Sequence, residues 1–549
     1  MTRKRAPLSP LAALIALLAI LALPFAARPR QRRVSGSGGR GGETLVILTP
    51  HNEAVRHEFT RAFVAHMAAR GRQVQIDWRS PGGTSEITRY LVSEYAWAFE
   101  RHWTGALGRR WSPVVASGFS NPDVTSSAGG DPDAAAARRA FLESNVGCGA
   151  DLLFGGGSVE AGLHATAGRL VESGVVSGHP ELFGDHAIPQ LVGGEPFWDR
   201  EGRWVGTCLS GFGICFNNDS LARLGVGRPP DSWAALADPV YFGQLGMADP
   251  AKSGSVAKAF EMLIQEQMQG ARQHAAQAGT APALLDGIAT RQGWRAAMRL
   301  IRRIAANARY FSDWASRVPV DVSKGDAAAG MCIDFYGRFQ SEMTDDNGRR
   351  GRMGFLMPTT GSSLGADSIG LLRGAPHRAL AVEFMEFVLS DAGQKIWSFR
   401  RGTPGGPQTY SIQRLPISPR LYAAAYDRYR ADTTTTPYGS ARTFVYRPEW
   451  TAPIFRVLAF VVRVMCVDPA PELQEAYRAL NAAHFPPRAV ALFDDVSAVD
   501  YDIVSGPLRT ALRSQNADGE VAWTNRLVRQ FRDQYRRVAA LARQSAGAP

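Results

Sequence analysis

The sequence predicts an α/β fold, and three observations predict it. From Thr44 onward, short apolar β-prone runs alternate with amphipathic helical patterns. Several of those runs end in glycine- and serine-rich turns that open the next helix, as open α/β sheets do where they meet ligands. The composition, 45% hydrophobic and 20% charged, is that of a packed chain, and 549 residues leave room for more than one domain.

Taken in order, Thr44–Leu48 reads as a buried parallel strand, broken at Thr49-Pro50-His51-Asn52. A helix follows from about Glu53 to Arg70, with Val55, Phe59, Phe63 and Met67 on one face. Val74–Trp78 is a second strand, which completes a βαβ unit. That strand ends in Ser80-Pro81-Gly82-Gly83-Thr84-Ser85, and another helix runs on through Ile87 and Leu91. Residues 99–147 fit this alternation poorly and read as an insertion or loop-rich excursion, with an Ala-rich helix near 134–144. Asp151–Phe154 is a third strand running into Gly155-Gly156-Gly157-Ser158 and a helix. The stretches 204–208 and 213–217 are β-rich. Ala257–Gln269 and Gly293–Ala308 are helical, Gly330–Tyr336 is read as a strand, and Arg378–Phe399 is one amphipathic helix.

Two helix starts stand out as anion cradles. Met247-Ala-Asp-Pro-Ala-Lys-Ser253-Gly254-Ser255 and Gly82-Gly83-Thr84-Ser85 each offer free backbone N–H groups, a positive dipole end and hydroxyls, with glycine for close approach. Either one alone is also a simple N-cap.

Residues 1–42 form a leader. Arg3, Lys4 and Arg5 precede an apolar run over residues 8–27, and Arg28–Gly42 reads as a flexible tether. Cleaved signal peptide and retained membrane anchor both fit, so the chain is placed in the periplasm or on the extracytoplasmic face. The net charge of +12 includes eight basic residues ahead of the first acid, Glu43, and without them +4 remains. The nucleic-acid reading therefore drops away. The five cysteines show no metal-ligand or CxxC spacing and read as buried small side chains, with a single disulfide the open alternative. No GxSxG, HExxH or GxxxxGK(S/T) motif is present, and no cofactor is expected.

In order along the chain, seven blocks resemble the extracellular solute-binding proteins of ABC importers, in the branch that handles ferric iron, phosphonates and sugar phosphates. They are Leu45–Asn52, Gly82–Ser85, Ala150–Gly157, Gly213–Asn217, Pro229–Trp233, Ala248–Ser255 and Ala381–Gln394. The resemblance implies two α/β lobes over residues 43–410, joined by crossings near 205–217 and 330–370, with a mostly helical extension at 411–549. It implies that Ser85 and Ser255 face each other across an interlobe cleft that closes by a hinge on a small anionic solute: a phosphate-, phosphonate- or carboxylate-bearing molecule, or a ferric complex. The implied ligand contacts are His51, Asn52, Gly83, Thr84, Ser85, Gly156, Gly157, Ser210, Ser253, Gly254, Ser255, Asp334, Tyr336 and Asp367, and the implied partner is a membrane permease. Iron binders of this branch present two adjacent tyrosines where this chain has Phe335-Tyr336, which leaves Tyr336, Asp334 and His51 as a mixed metal set. Two other readings share the scaffold: a tethered ligand sensor, and an exported hydrolase with Asp334 or Asp367 as base and His51 as partner. In the extension, Pro453–Val467 reads as a core helix, and Asn525–Arg543 as an amphipathic helix packed on the lobes.

Overall fold

The computed structural model describes residues 42–124, 130–346, 348, 351–433, 435, 437–440, 444–513 and 517–546. The leader, residues 1–41, lies outside the described residues, so the choice between cleaved signal and anchor is not addressed by the fold.

The first lobe is built on a mixed sheet. Its strands are β1 (Glu43–Leu48), β2 (Val74–Arg79), β3 (Leu152–Phe154), β4 (Leu170–Val171), β7 (Val205–Ser210), β13 (Gly365–Leu372) and β14 (Leu415–Pro416). They lie in the order β14-β7-β13-β3-β1-β2, with β4 beside β13. β1 pairs in parallel with both β2 and β3, as the βαβ reading requires. A small hairpin, β5 (Leu191–Val192) and β6 (Glu195–Pro196), stands apart from the sheet. Helices α1 (Glu53–Ala68), α2 (Thr84–Arg101), α3 (Pro132–Glu143) and α4 (Gly157–Thr166) pack on this sheet, as do α8 (Arg378–Leu389) and α9 (Asp391–Ser398).

The second lobe has a five-stranded sheet in the order β10-β9-β11-β8-β12: β10 (Ala308–Ser312), β9 (Leu245–Ala248), β11 (Ala329–Ile333), β8 (Phe212–Asn217) and β12 (Met353–Leu356). Its long helix α5 (Gly254–Gln277) is followed by α6 (Trp294–Ala306) and α7 (Asp334–Asp346).

The chain crosses between the lobes at two adjacent segments, and a third time where the extension leaves the first sheet for the core of the second lobe. One crossing is a single residue, Gly211, between β7 and β8. A Cβ there would lie 2.3 Å from the Met357 sulfur on the returning crossing, so a larger residue would have to push that side chain aside. Ser362 stitches them together. Its hydroxyl donates to the Phe212 carbonyl at 2.7 Å and accepts from the Phe212 N–H at 3.1 Å.

Four details depart from the sequence reading. The strand β11 ends at Ile333, and Asp334 opens α7 instead of extending the strand, because its carboxylate accepts the Phe335 N–H at 2.8 Å at a helix start where negative charge is favoured. The helix expected over 378–399 is two, broken where the Ser390 side chain accepts from Gly393 N–H and restarts the chain as α9. In the excursion at 99–147 the Ala-rich helix expected near 134–144 is present as α3, and the described residues around it are packed instead of loop-rich: Trp103, Phe119 and Phe141 are buried together, with Phe99 and Phe119 stacked at 4.9 Å. Finally, β14 pairs with β7, so the chain beyond residue 410 completes the first sheet before it leaves the lobe.

The remainder forms α10 (Phe455–Val462), α11 (Ala470–Ala482), α12 (Ala517–Ala546) and short helical turns. One continuous apolar core runs from β8, α5 and α6 of the second lobe into α10, α11 and α12. Among the described residues one segment, Pro448–Val467, is long and apolar enough to cross a membrane, and most of it is buried in this core. The five cysteines are buried free thiols.

Candidate functional site

Between the lobes lies a cleft of about 770 Å³. Its first-lobe wall comes from the turn after β1, the N-terminus of α2 and the N-terminus of α4. Its second-lobe wall comes from the N-terminus of α5, the segment 313–320 and the first turns of α7.

The floor is a buried ionic cluster. Asp367 on β13 accepts the Gly156 N–H at 2.7 Å and the Gly157 N–H at 3.4 Å through Oδ1. Its Oδ2 meets the Arg414 guanidinium and lies 3.1 Å from His51 Nε2. Arg414 also donates to the Ser210 hydroxyl and lies over the Phe335 ring at 4.3 Å. Burial alone would raise the Asp367 carboxyl, but the Arg414 guanidinium beside it wins and holds it well below the usual carboxylate range. Burial would weaken the Arg414 charge in turn, but the acidic groups around it hold its pKa above the usual arginine value. His51 moves the other way: burial lowers its pKa, so it stays neutral near neutral pH, and its Nδ1 is buried without a hydrogen-bond partner.

The two expected cradles do converge. A Cβ placed on Gly254 would stand 3.4 Å from the Thr84 side chain and 3.1 Å from Glu160 Oε1, so helix α5 begins closely against both α2 and α4. Neither cradle is capped by its own side chain. Gly83 has none to offer, and the Ser253 hydroxyl bonds Ser255 Oγ at 3.0 Å instead of a helix N–H. Donors at both helix starts are therefore left for a ligand.

Of the residues expected at the site, His51, Asn52, Gly83, Thr84, Gly156, Gly157, Ser210, Ser253, Gly254, Ser255, Tyr336 and Asp367 line the cleft. Ser85 and Asp334 do not. Thr84, one residue earlier, takes the place expected of Ser85 because α2 starts at Thr84 itself. Asp334 is fully buried with its Oδ1 committed to the Phe335 N–H. The mixed metal set of His51, Asp334 and Tyr336 is thus not assembled in the cleft, and among the described residues no group of three or more His, Cys, Asp or Glu is placed to hold a metal ion. Asn52 caps α1, its Oδ1 accepting from Val55 N–H at 3.2 Å. Asp367 is a poor general base, since its charge is already neutralised by Arg414.

Two cationic residues missed in the sequence complete the site. Arg414 lies just past the expected boundary of the binding region. Arg56, on the first turn of α1, is set apart by its pairing. Of the other cleft-lining cations, Lys252 pairs with Asp313 at 2.7 Å, Lys258 with Glu195 at 3.0 Å and Glu261 at 2.9 Å, and Arg414 with Asp367. Arg56 has no carboxylate partner among the described residues, and its Nε is buried without a hydrogen bond. The only local mark of its role is a charge on the first turn of a helix that follows a strand end. Aromatic side chains fill much of the remaining wall: Phe212, Trp314, Phe335, Tyr336, Phe339 and Phe455, the last supplied by the C-terminal extension.

Residues 164–415 match the family described as bacterial extracellular solute-binding protein. A search of curated proteins finds no match. Among solved structures, the chain is similar to the periplasmic binding protein AfuA from Actinobacillus pleuropneumoniae, with exogenous fructose-6-phosphate bound, at 14% identity over 65% of this chain and 82% of that one, TM-score 0.43. It is similar to iron-bound HitA from Pseudomonas aeruginosa at 15% identity over 76% and 99%, TM-score 0.43. It is also similar to apo ferric ion-binding protein A from Pasteurella haemolytica at 13% identity over 77% and 98%, TM-score 0.44. The ligand named for each belongs to that protein.

Proposed function

We propose that this extracellular solute-binding protein of the ABC-transporter type captures a small organic anion in its interlobe cleft and presents it to a membrane permease. The observation that carries the reading is the pairing pattern of the cleft: its cations are neutralised by carboxylates except Arg56, which faces the cavity beside two uncapped helix N-termini. A ligand anion would supply the missing counter-charge and accept the free helix N–H groups. The cavity is far larger than an inorganic anion needs, and its aromatic lining suits a ligand whose anionic head is attached to an apolar or ring-shaped body. His51, Asp367 and Arg414 act as the rigid floor that fixes the Gly156 and Gly157 backbone, with the ligand resting above them. Closure about the Gly211 crossing would desolvate the head group and strengthen each charge-assisted bond.

The test is a calorimetric titration with phenylphosphonate, which combines an anionic head with an aromatic body. Arg56→Gln should weaken binding by about 1.5–3 kcal/mol, the range for a hydrogen bond to a charged group, while leaving the thermal midpoint close to wild type. Equal affinity in the two proteins would exclude Arg56 as the anion's counter-charge.

A further inference from the structure

Glu160 stands where an anion site has least use for a carboxylate. It lies on the first turn of α4, lines the cleft, and points its Oε1 at the start of α5 beside Gly254. It makes no ion pair among the described residues. The charged groups around it come from three elements. Lys258 and Glu261 face it from α5, and Arg456 from α10; on its own helix, His164 lies four residues on. Lys258 is already shared between Glu195 and Glu261, and Arg456 acts on Glu160 only through space, with no ion pair between them among the described residues. Glu86 and Lys252 also line the cleft, and each has a partner, Arg89 and Asp313 respectively. An ionised Glu160 therefore repels a fully ionised ligand bound at the same helix start, unless a proton lies between them.

We propose that Glu160 is a specificity-determining residue of the cleft: its carboxylate accepts a hydrogen bond from an acidic proton on the ligand's head group. The site thereby selects a protonated tetrahedral oxyanion, such as hydrogen phosphate or the monoanion of a phosphate ester or phosphonate, over an oxyanion with no proton, such as sulfate. The selection is one of donor and acceptor matching. A P–O–H group satisfies the carboxylate, whereas sulfate sets two acceptors against each other, and a buried mismatch of that kind is far more costly than a missing contact. Burial pushes the Glu160 carboxyl up to about 7, against a hydrogen bond from its own backbone N–H and the pull of Arg456 and Lys258. Above that pH it is an acceptor that demands a proton from the ligand; below it, it carries the proton itself and becomes a donor that sulfate can use.

This proposal rests on the anion reading of the cleft, and the experiment separates the two. Inorganic phosphate and sulfate are titrated by calorimetry into the wild-type protein and Glu160→Gln at about pH 8 and about pH 5.5, one side and the other of the Glu160 transition. Wild type should prefer phosphate by about tenfold or more at the higher pH, and the preference should shrink at the lower pH. Phosphate itself passes from dianion to monoanion between these pH values, a change common to both proteins, so the Glu160 contribution is read as the difference between them: the amide of the variant can donate to either anion, and its preference at about pH 8 should be much smaller than that of wild type. A wild-type protein that binds the two anions equally at about pH 8, or a variant that keeps the full preference and its pH dependence, would overturn the role of Glu160 while leaving the anion reading standing. If neither protein binds either anion at either pH, the anion reading fails, and the Glu160 proposal with it. If Glu160→Gln folds poorly, Glu160→Ala, which also removes the acceptor, makes the same comparison with wild type at about pH 8.

Discussion

At the scale of single residues, Asp367 does more for the site than any group that could touch a ligand. One carboxylate orders a glycine turn, a histidine and a buried arginine at once. Asp367→Asn keeps the shape and removes the charge, so Arg414 is left buried without its counter-ion. The expected loss is about 3–5 kcal/mol of stability, the usual consequence of breaking a buried pair on one side, measured by denaturant unfolding. The pH dependence has a definite sign. The Asp367 carboxyl is depressed in the folded state, so its contribution is present above the ordinary aspartate value of about 4 and is lost as pH falls below that. The gap between wild type and variant should therefore narrow in acid; a gap that widens would contradict the pairing. His51 stood out in the sequence at the break after the first strand, where α/β sheets gather function, whereas Asp367 entered only through the resemblance. Arg414 did neither. It sits in the mixed stretch Ile412-Gln413-Arg414-Leu415-Pro416-Ile417, some 47 positions from its partner, and only the three-dimensional register of β14 against β7 brings it home.

At the scale of elements, the cleft is made by helix starts, and their register decides which side chain faces the ligand. Expecting Ser85 and finding Thr84 is a one-residue difference in where α2 begins, within the ordinary uncertainty of helix ends. The β1–α1–β2 unit and α5 were legible because their apolar periodicity is long and regular. The start of α7 was hidden because Ile333-Asp334-Phe335-Tyr336 has β-prone residues on both sides of the capping aspartate. Gly254 tests whether the convergence of α2, α4 and α5 matters. A side chain there meets Glu160 at 3.1 Å and Thr84 at 3.4 Å, contacts that must give by a few tenths of an ångström. Gly254→Val should weaken phosphate binding by about tenfold, or roughly 1.4 kcal/mol, with a near-normal far-ultraviolet dichroism spectrum. Unchanged affinity would mean that the ligand does not sit at the start of α5.

At the scale of the molecule, the C-terminal extension is part of the second lobe's core; the sequence marked Pro453–Val467 as a core helix and Asn525–Arg543 as packed on the lobes, but apolar periodicity does not say which partner a face will meet. The contacts are specific as well as apolar. Trp294 on α6 donates to the Val499 carbonyl at 2.7 Å, and Tyr477 on α11 donates to the Ala237 carbonyl at 3.1 Å. Arg302, fully buried on α6, donates to the carbonyls of Phe493 and Asp495. Gln265 on α5 is held by Thr451 and the Arg447 carbonyl, and Glu261 accepts from Tyr446 and Thr451, so the wall of the cleft is braced from behind by residues of the extension. A core shared in this way should melt as a unit, since neither part keeps its apolar surface covered without the other. Leu458→Ala on α10 and Met298→Ala on α6 both empty fully buried positions of that core, and each should cost about 2–5 kcal/mol. The informative outcome in scanning calorimetry is which transition moves. Both variants should lower the same one, because the two side chains belong to one cooperative body, and phosphate should raise that transition by binding the folded state. If Leu458→Ala instead splits off a separate, earlier transition that phosphate does not shift, the extension folds on its own, and its bracing of the ligand cleft is not energetically coupled to binding.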